Sequence, residues 1–164
     1  MVGAPGVGKS SLVRRFVHSI FSEDYSSTLG VKVDRKLVLF EQAAVSMVLW
    51  DMHGETEGLD VPPGYLRGAS GALAVFDISR PETAATAATL LERVLEQSPN
   101  AETVAVANKD DFEEASEASR SVAESIEASS IQFTSAKTGS GVEQAFGTIG
   151  QGLLERAGLW HPKP

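Results

Sequence analysis

Residues 3–10 read Gly-Ala-Pro-Gly-Val-Gly-Lys-Ser, a complete G-x-x-x-x-G-K-S phosphate loop, and an amphipathic run of Leu12, Val13, Phe16, Val17 and Ile20 follows directly. No other feature constrains the fold as strongly. Such a loop works only as a bend from a β-strand into the first turn of a helix, where successive backbone N–H groups converge on an anion. Gly3, Gly6 and Gly8 allow backbone geometries that a Cβ would disfavour. Pro5, Gly6, Val7, Gly8, Lys9, Ser10 and Ser11 are therefore candidates for an anion cradle. Lys9 supplies a compact cation for phosphate oxygens, and the Ser10 hydroxyl is a candidate Mg²⁺ ligand. A plain glycine-rich turn is the alternative, but Gly-Lys-Ser immediately before an apolar helical face argues against it.

Downstream, short apolar runs alternate with helical patterns. This predicts a three-layer α/β fold with a mostly parallel central sheet of about six strands, one of them antiparallel, flanked by about five helices. Helix one is expected over residues 9–20, and two strands, 31–40 and 45–50, form a hairpin around Glu-Gln-Ala. Residues 52–67 read as a long loop containing Pro62-Pro63, and 72–76 as a buried strand. Ser79 with Glu82, and Ser140 with Glu143, have capping-box spacing. They predict helices to about residue 97 and from about 141, the latter with Val142, Phe146, Ile149 and Leu153 on one face. Strands are expected at 103–107 and 131–134, with a polar helix over 114–128 between them. Only Met1 and Val2 precede the phosphate loop, so the first strand is expected to be truncated or a stub. A two-residue central strand would leave buried backbone groups unpaired, at about 1–3 kcal/mol each. Length predicts one domain over 1–158 and a proline-containing tail over 159–164.

Composition excludes several classes. The net charge of −8 argues against a nucleic-acid surface and against electrostatic attachment to anionic lipid. With no cysteine, thiol catalysis, disulfides, thiolate metal sites, prenylation and palmitoylation are excluded for this sequence. No apolar run approaches 18 residues, and the expectation is a cytoplasmic monomer without a direct membrane anchor.

Three further constellations fall at predicted strand ends, where open α/β sheets bind ligands. Leu49-Trp50-Asp51-Met52-His53-Gly54 is an apolar strand ending in Asp. Asp51 can hold a Mg²⁺ shell through water, and the Gly54 amide can meet a γ-phosphate. In Asn108-Lys109-Asp110-Asp111, the Asp111 carboxylate can accept both N1–H and N2–H₂ of guanine, an arrangement adenine does not offer. Ser135-Ala136-Lys137 can offer a backbone N–H to guanine O6. One end grips phosphates and the other reads a base, which together imply GTP or GDP with Mg²⁺.

Through these motifs the chain resembles a small GTPase of the Ras superfamily, closest to the Rab branch. Asp24-Tyr25-Ser-Ser-Thr28-Leu-Gly30 resembles the first switch, Trp50-Asp51-x-x-Gly54-Glu55 the second, and Tyr65-Leu-Arg67-Gly68-Ala69 a Rab-like stretch. The resemblance implies that Thr28 senses Mg²⁺ and the γ-phosphate, that Phe21 packs against guanine and that Tyr25 lies near the phosphates. It implies a switch that binds Mg·GTP and hydrolyses it slowly, with Lys9, Thr28, Gly54 and residue 55 serving the chemistry. It also implies regulatory and effector proteins at residues 22–30 and 52–67. The departures are specific. Glu55 stands where the family has a water-orienting Gln, His53 where Ala is common, and no Rab-type cysteines close the chain. No arginine is evident as a finger in cis; Arg14 and Arg15 fall in helix one. An ionised Glu55 can accept but not donate, and it would be repelled by a triphosphate. It therefore slows hydrolysis, acts as a general base, or is simply a solvated loop carboxylate. The alternative function is a GTP/GDP-binding module with negligible hydrolysis.

Overall fold

The computed structural model describes residues 1–21, 31–41, 43–52, 61, 63–112, 121 and 126–160. Its elements in chain order are α1 (Lys9–His18), β1 (Val31–Leu39), β2 (Ala44–Met52), α2 (Pro63–Leu66), β3 (Gly71–Asp77), α3 (Glu82–Gln97), β4 (Glu102–Asn108), β5 (Ser130–Thr134) and α4 (Val142–Arg156). This is the α/β phosphate-loop fold expected from the sequence. β1 and β2 form the antiparallel hairpin, closed by Phe40 N–H donating to the Ala43 carbonyl at 2.8 Å. β3, β4 and β5 run parallel in that order.

Residues 1–2 join the two pieces of sheet. Val2 donates to the Leu73 carbonyl at 3.0 Å and accepts from Val75 N–H at 2.8 Å, while the Met1 nitrogen donates to the Trp50 carbonyl at 2.7 Å. Past that junction a cavity of about 490 Å³ lies between β2 and β3, with Val45, Met47, Leu49, Leu73, Phe146 and Ile149 among its walls.

Strand periodicity explains the three layers. Adjacent side chains on a strand face opposite ways. In β3, Ala74 and Phe76 pack with Ala84, Ala87, Leu90, Leu91 and Val94 of α3. Leu73 and Val75 pack on the other face with Leu12, Val13 and Phe16 of α1 and Val142, Phe146 and Ile149 of α4. Phe16 and Phe146 stack with centroids 3.9 Å apart, which locks α1 against α4.

Some local expectations are corrected. α1 stops at His18, because Ser19 turns left-handed (φ 57°), and Ile20 is exposed beyond the helix. Neither capping box forms. Ser79 turns its hydroxyl to the Asp77 carboxylate, to which it donates at 2.6 Å, and Pro81 takes the N-cap. Ser140 is used in the 135–140 turn, where its carbonyl accepts from Ser135 N–H, and left-handed Gly141 caps α4. On α4, Leu153 is half-buried beside Phe146 and Ile149 in the cavity wall, and Leu154 is buried as well. The helix expected over 114–128 falls mostly outside the described residues; 126–128 are not helical.

Candidate functional site

The phosphate loop crosses the C-terminal end of β3. Gly3 has φ +148°, and a Cβ there would stand 2.1 Å from the Val75 carbonyl oxygen. The loop can therefore lie flat on the strand only as glycine. Lys9, in the first turn of α1, is buried, and its Nζ donates to the carbonyls of Gly3 and Ala4, each at 2.9 Å. An ammonium has three donors, so one remains. Burial lowers the Lys9 pKa to about 8, against the opposing pull of the Asp51 carboxylate.

Asp51 ends β2 and is 1% exposed, and its Oδ1 has no hydrogen-bond partner among the described residues. An orphaned buried carboxylate oxygen is expensive unless a cation or ordered water meets it. The residues present thus fit a hydrated divalent cation beside the phosphate loop. Ser10 and Ser11 lie half-buried in the first turn of α1.

The opposite wall is held by Asn108, the last residue of β4 and 1% exposed. Its Nδ2 donates to the Val7 carbonyl at 2.8 Å, and its Oδ1 accepts from Thr134 Oγ1 at 3.0 Å and from Ala136 N–H at 3.2 Å. One side chain thus ties the phosphate loop, the end of β5 and residues 135–137 together. Because Ala136 N–H is already donated, a guanine carbonyl would have to share it or use Lys137 N–H. Asp111 Oδ1 accepts from Ser135 Oγ at 2.6 Å, which orients the carboxylate.

Two groups of residues in this region carry roles that the motifs did not announce. Arg15 reaches from α1 to donate Nε to the Ala136 carbonyl at 2.8 Å and Nη2 to the Lys137 carbonyl, and its guanidinium lies 5.8 Å from the half-buried Phe21 ring. It clamps the 135–137 loop. Asp77, ending β3 and 1% exposed, pairs with Lys109 Nζ at 2.7 Å and Arg80 Nε at 2.9 Å and accepts from Ser79 Oγ. Burial alone would raise its pKa, but Lys109, Ser79 and Arg80 outweigh that and hold the carboxyl below its ordinary value. Lys109 itself sits left-handed at φ 68°. The sequence did carry a signal here: Asp77 ends an apolar strand, as Asp51 does. The long reach of Arg15 had none, because it spans residues far apart in the chain.

Tyr25, Thr28, His53, Gly54 and Glu55 lie outside the described residues. Among the rest, the structure brings Gly3 to Ser11, Asp51, Asn108, Lys109, Asp111 and residues 135–137 to one end of the sheet. A model of the Ras family matches residues 1–155 of the chain.

Proposed function

The chain belongs to the Ras family, and from that premise we propose that it is a guanine-nucleotide switch of Rab-like type, binding Mg·GTP and hydrolysing it slowly to GDP. The observation that carries this reading is the Asn108 side chain, which joins the phosphate loop at Val7 to the residues that follow β5. Phosphate and base recognition are thereby built as one rigid unit. The amides of residues 6–9 bind phosphate oxygens, and the remaining N–H of Lys9 adds a charge-assisted bond. Asp111, oriented by Ser135, accepts from N1 and N2 of guanine. Phe21, beside Arg15, offers its ring to the base. Ser10, Thr28 and, through water, Asp51 are the residues to hold Mg²⁺, which when bound supplies positive charge to the β- and γ-phosphate oxygens.

Partner recognition is proposed for the hairpin face beside the second switch. Val33 and Trp50 are opposed in register, both exposed, and Trp50 meets exposed Tyr65 at 5.9 Å. Such an apolar patch suits regulatory or effector proteins. The decisive test of the overall reading is which nucleotide leaves the purified protein on denaturation, followed by competition binding. GDP or GTP is expected; ATP competing within tenfold of GTP sinks the guanine assignment.

A second reading, a GTP/GDP-binding module with negligible hydrolysis, is favoured by Glu55. Related switches without an activator turn over at only about 10⁻⁴–10⁻³ per second. If Glu55 leaves water unpositioned, Glu55→Gln raises the single-turnover rate; if it is a working base, the same change lowers it.

A further inference from the structure

Arg80 follows β3 by three residues and lies against the phosphate loop. Its Nε is held by the buried Asp77 carboxylate at 2.9 Å, and its Nη2 reaches the Pro5 carbonyl at 3.3 Å. The side chain is 42% exposed, with Nε anchored on the buried Asp77 carboxylate and Nη2 at the edge of the loop on Pro5. Three consecutive carbonyls of the loop thus face cations: Gly3 and Ala4 face Lys9, and Pro5 faces Arg80. Pro5 has no N–H, so the loop lacks one anion donor at that residue. A guanidinium with five donors, two of them engaged among the described residues, stands beside the same residue.

We propose that Arg80 contacts phosphate in cis: its free N–H groups donate to the terminal phosphoryl group of the bound triphosphate and stabilise the charge that develops during hydrolysis. In that step a water oxygen bonds to the γ-phosphorus and the bond to the β–γ bridging oxygen breaks. GDP leaves with that electron pair, and the water's proton ends on the released phosphate. Arg80 gains and loses no proton; it acts only by position and charge. Asp77 is its positioning residue, and the rigid turn through Ser79 fixes the arm before ligand arrives.

The inference rests on the GTP-switch reading, and the experiment separates the two. Wild type, Arg80→Ala and Arg80→Lys are compared for GDP affinity, affinity for a non-hydrolysable GTP analogue, single-turnover GTP hydrolysis, and formation of a GDP–aluminium fluoride complex without any activator. Arg80→Ala is expected to lose about tenfold or more in hydrolysis and to abolish the fluoride complex. GDP affinity should stay within about threefold, because GDP lacks the phosphoryl group that Arg80 meets. Arg80→Lys should recover only part of the rate, having no planar fork. Hydrolysis and fluoride binding unchanged in Arg80→Ala would overturn the proposal. So would a loss of GDP affinity matching the loss of rate, which marks a purely structural tie. A wild-type protein that fails to bind GTP refutes the switch reading instead.

Discussion

At the scale of single residues, two side chains carry chemistry that can be measured directly. Asp111 is held by Ser135 at 2.6 Å with its carboxylate oriented. A site built to accept two hydrogen bonds rejects a base that lacks them by about 10⁴-fold. Asp111→Asn replaces an acceptor oxygen with a donor, so the GDP-over-ADP preference should fall by at least about 100-fold in competition binding. An unchanged preference would move base recognition elsewhere. Lys9 makes a prediction about pH. Burial brings its pKa from 10.5 down to about 8 in the unliganded fold. Between those values the unfolded chain holds a proton that the fold does not, so this group adds stability as pH rises through that window and adds none below it. Phosphate binding favours the ammonium and reverses the sign. Nucleotide affinity should therefore fall as pH rises above about 8, and binding at pH 8.5 should take up protons. Calorimetry in two buffers of different ionisation enthalpy reads that uptake; a buffer-independent heat argues against a neutralised Lys9.

At the scale of elements, the contact between the phosphate loop and β4 decides whether the site exists. Gly8 has φ +99°, and a Cβ on it would stand 2.3 Å from Asn108 Nδ2. That amide is the group bonded to the Val7 carbonyl at 2.8 Å. Gly8→Ala therefore strains the backbone and breaks a buried hydrogen bond together, and should cost about 2–4 kcal/mol of stability. Urea denaturation measures it through the shift in midpoint; a wild-type midpoint would mean the loop is not held against Asn108. The motif in the sequence gave one reason for glycine at residue 8, its backbone geometry, but not the second. That second reason is a residue one hundred positions away, which no local pattern contains. The spacing of Ser79 with Glu82 and of Ser140 with Glu143 suits capping boxes, yet the Ser79 hydroxyl turns to Asp77, and the helices are capped by Pro81 and Gly141 instead. A capping motif loses when a neighbouring side chain offers its hydroxyl another partner.

At the scale of the whole molecule, the proposed nucleotide would touch several elements at once. The phosphate loop, β2, β4 and the 135–137 loop all converge at one end of the sheet, and among the described residues the backbone of residues 1–2 bonds both to the hairpin and to β3. A nucleotide bound at this end of the sheet would stabilise the fold by mass action. GDP at a thousandfold over its Kd should add about 4 kcal/mol, a rise of roughly 8–16 °C in Tm for a domain of this size. ATP at the same concentration should leave Tm unmoved. Equal shifts from both nucleotides would contradict guanine selectivity at the level of the intact protein.

The sequence by itself determined the fold class, the strand ends that carry the site and the identity of the phosphate loop, because each is written in short-range patterns: period-two and helical apolar spacing, glycines, and Gly-Lys-Ser. Only the tertiary structure decided how these parts are held. It assigned Asn108 as the tie between the two halves of the site and Arg15 as the clamp on residues 136–137. It also set Arg80 against Pro5 through a carboxylate shared with Lys109. Each of these contacts joins residues on different strands and loops. Their energies come from burial and charge pairing, which exist only once the sheet has brought the partners together.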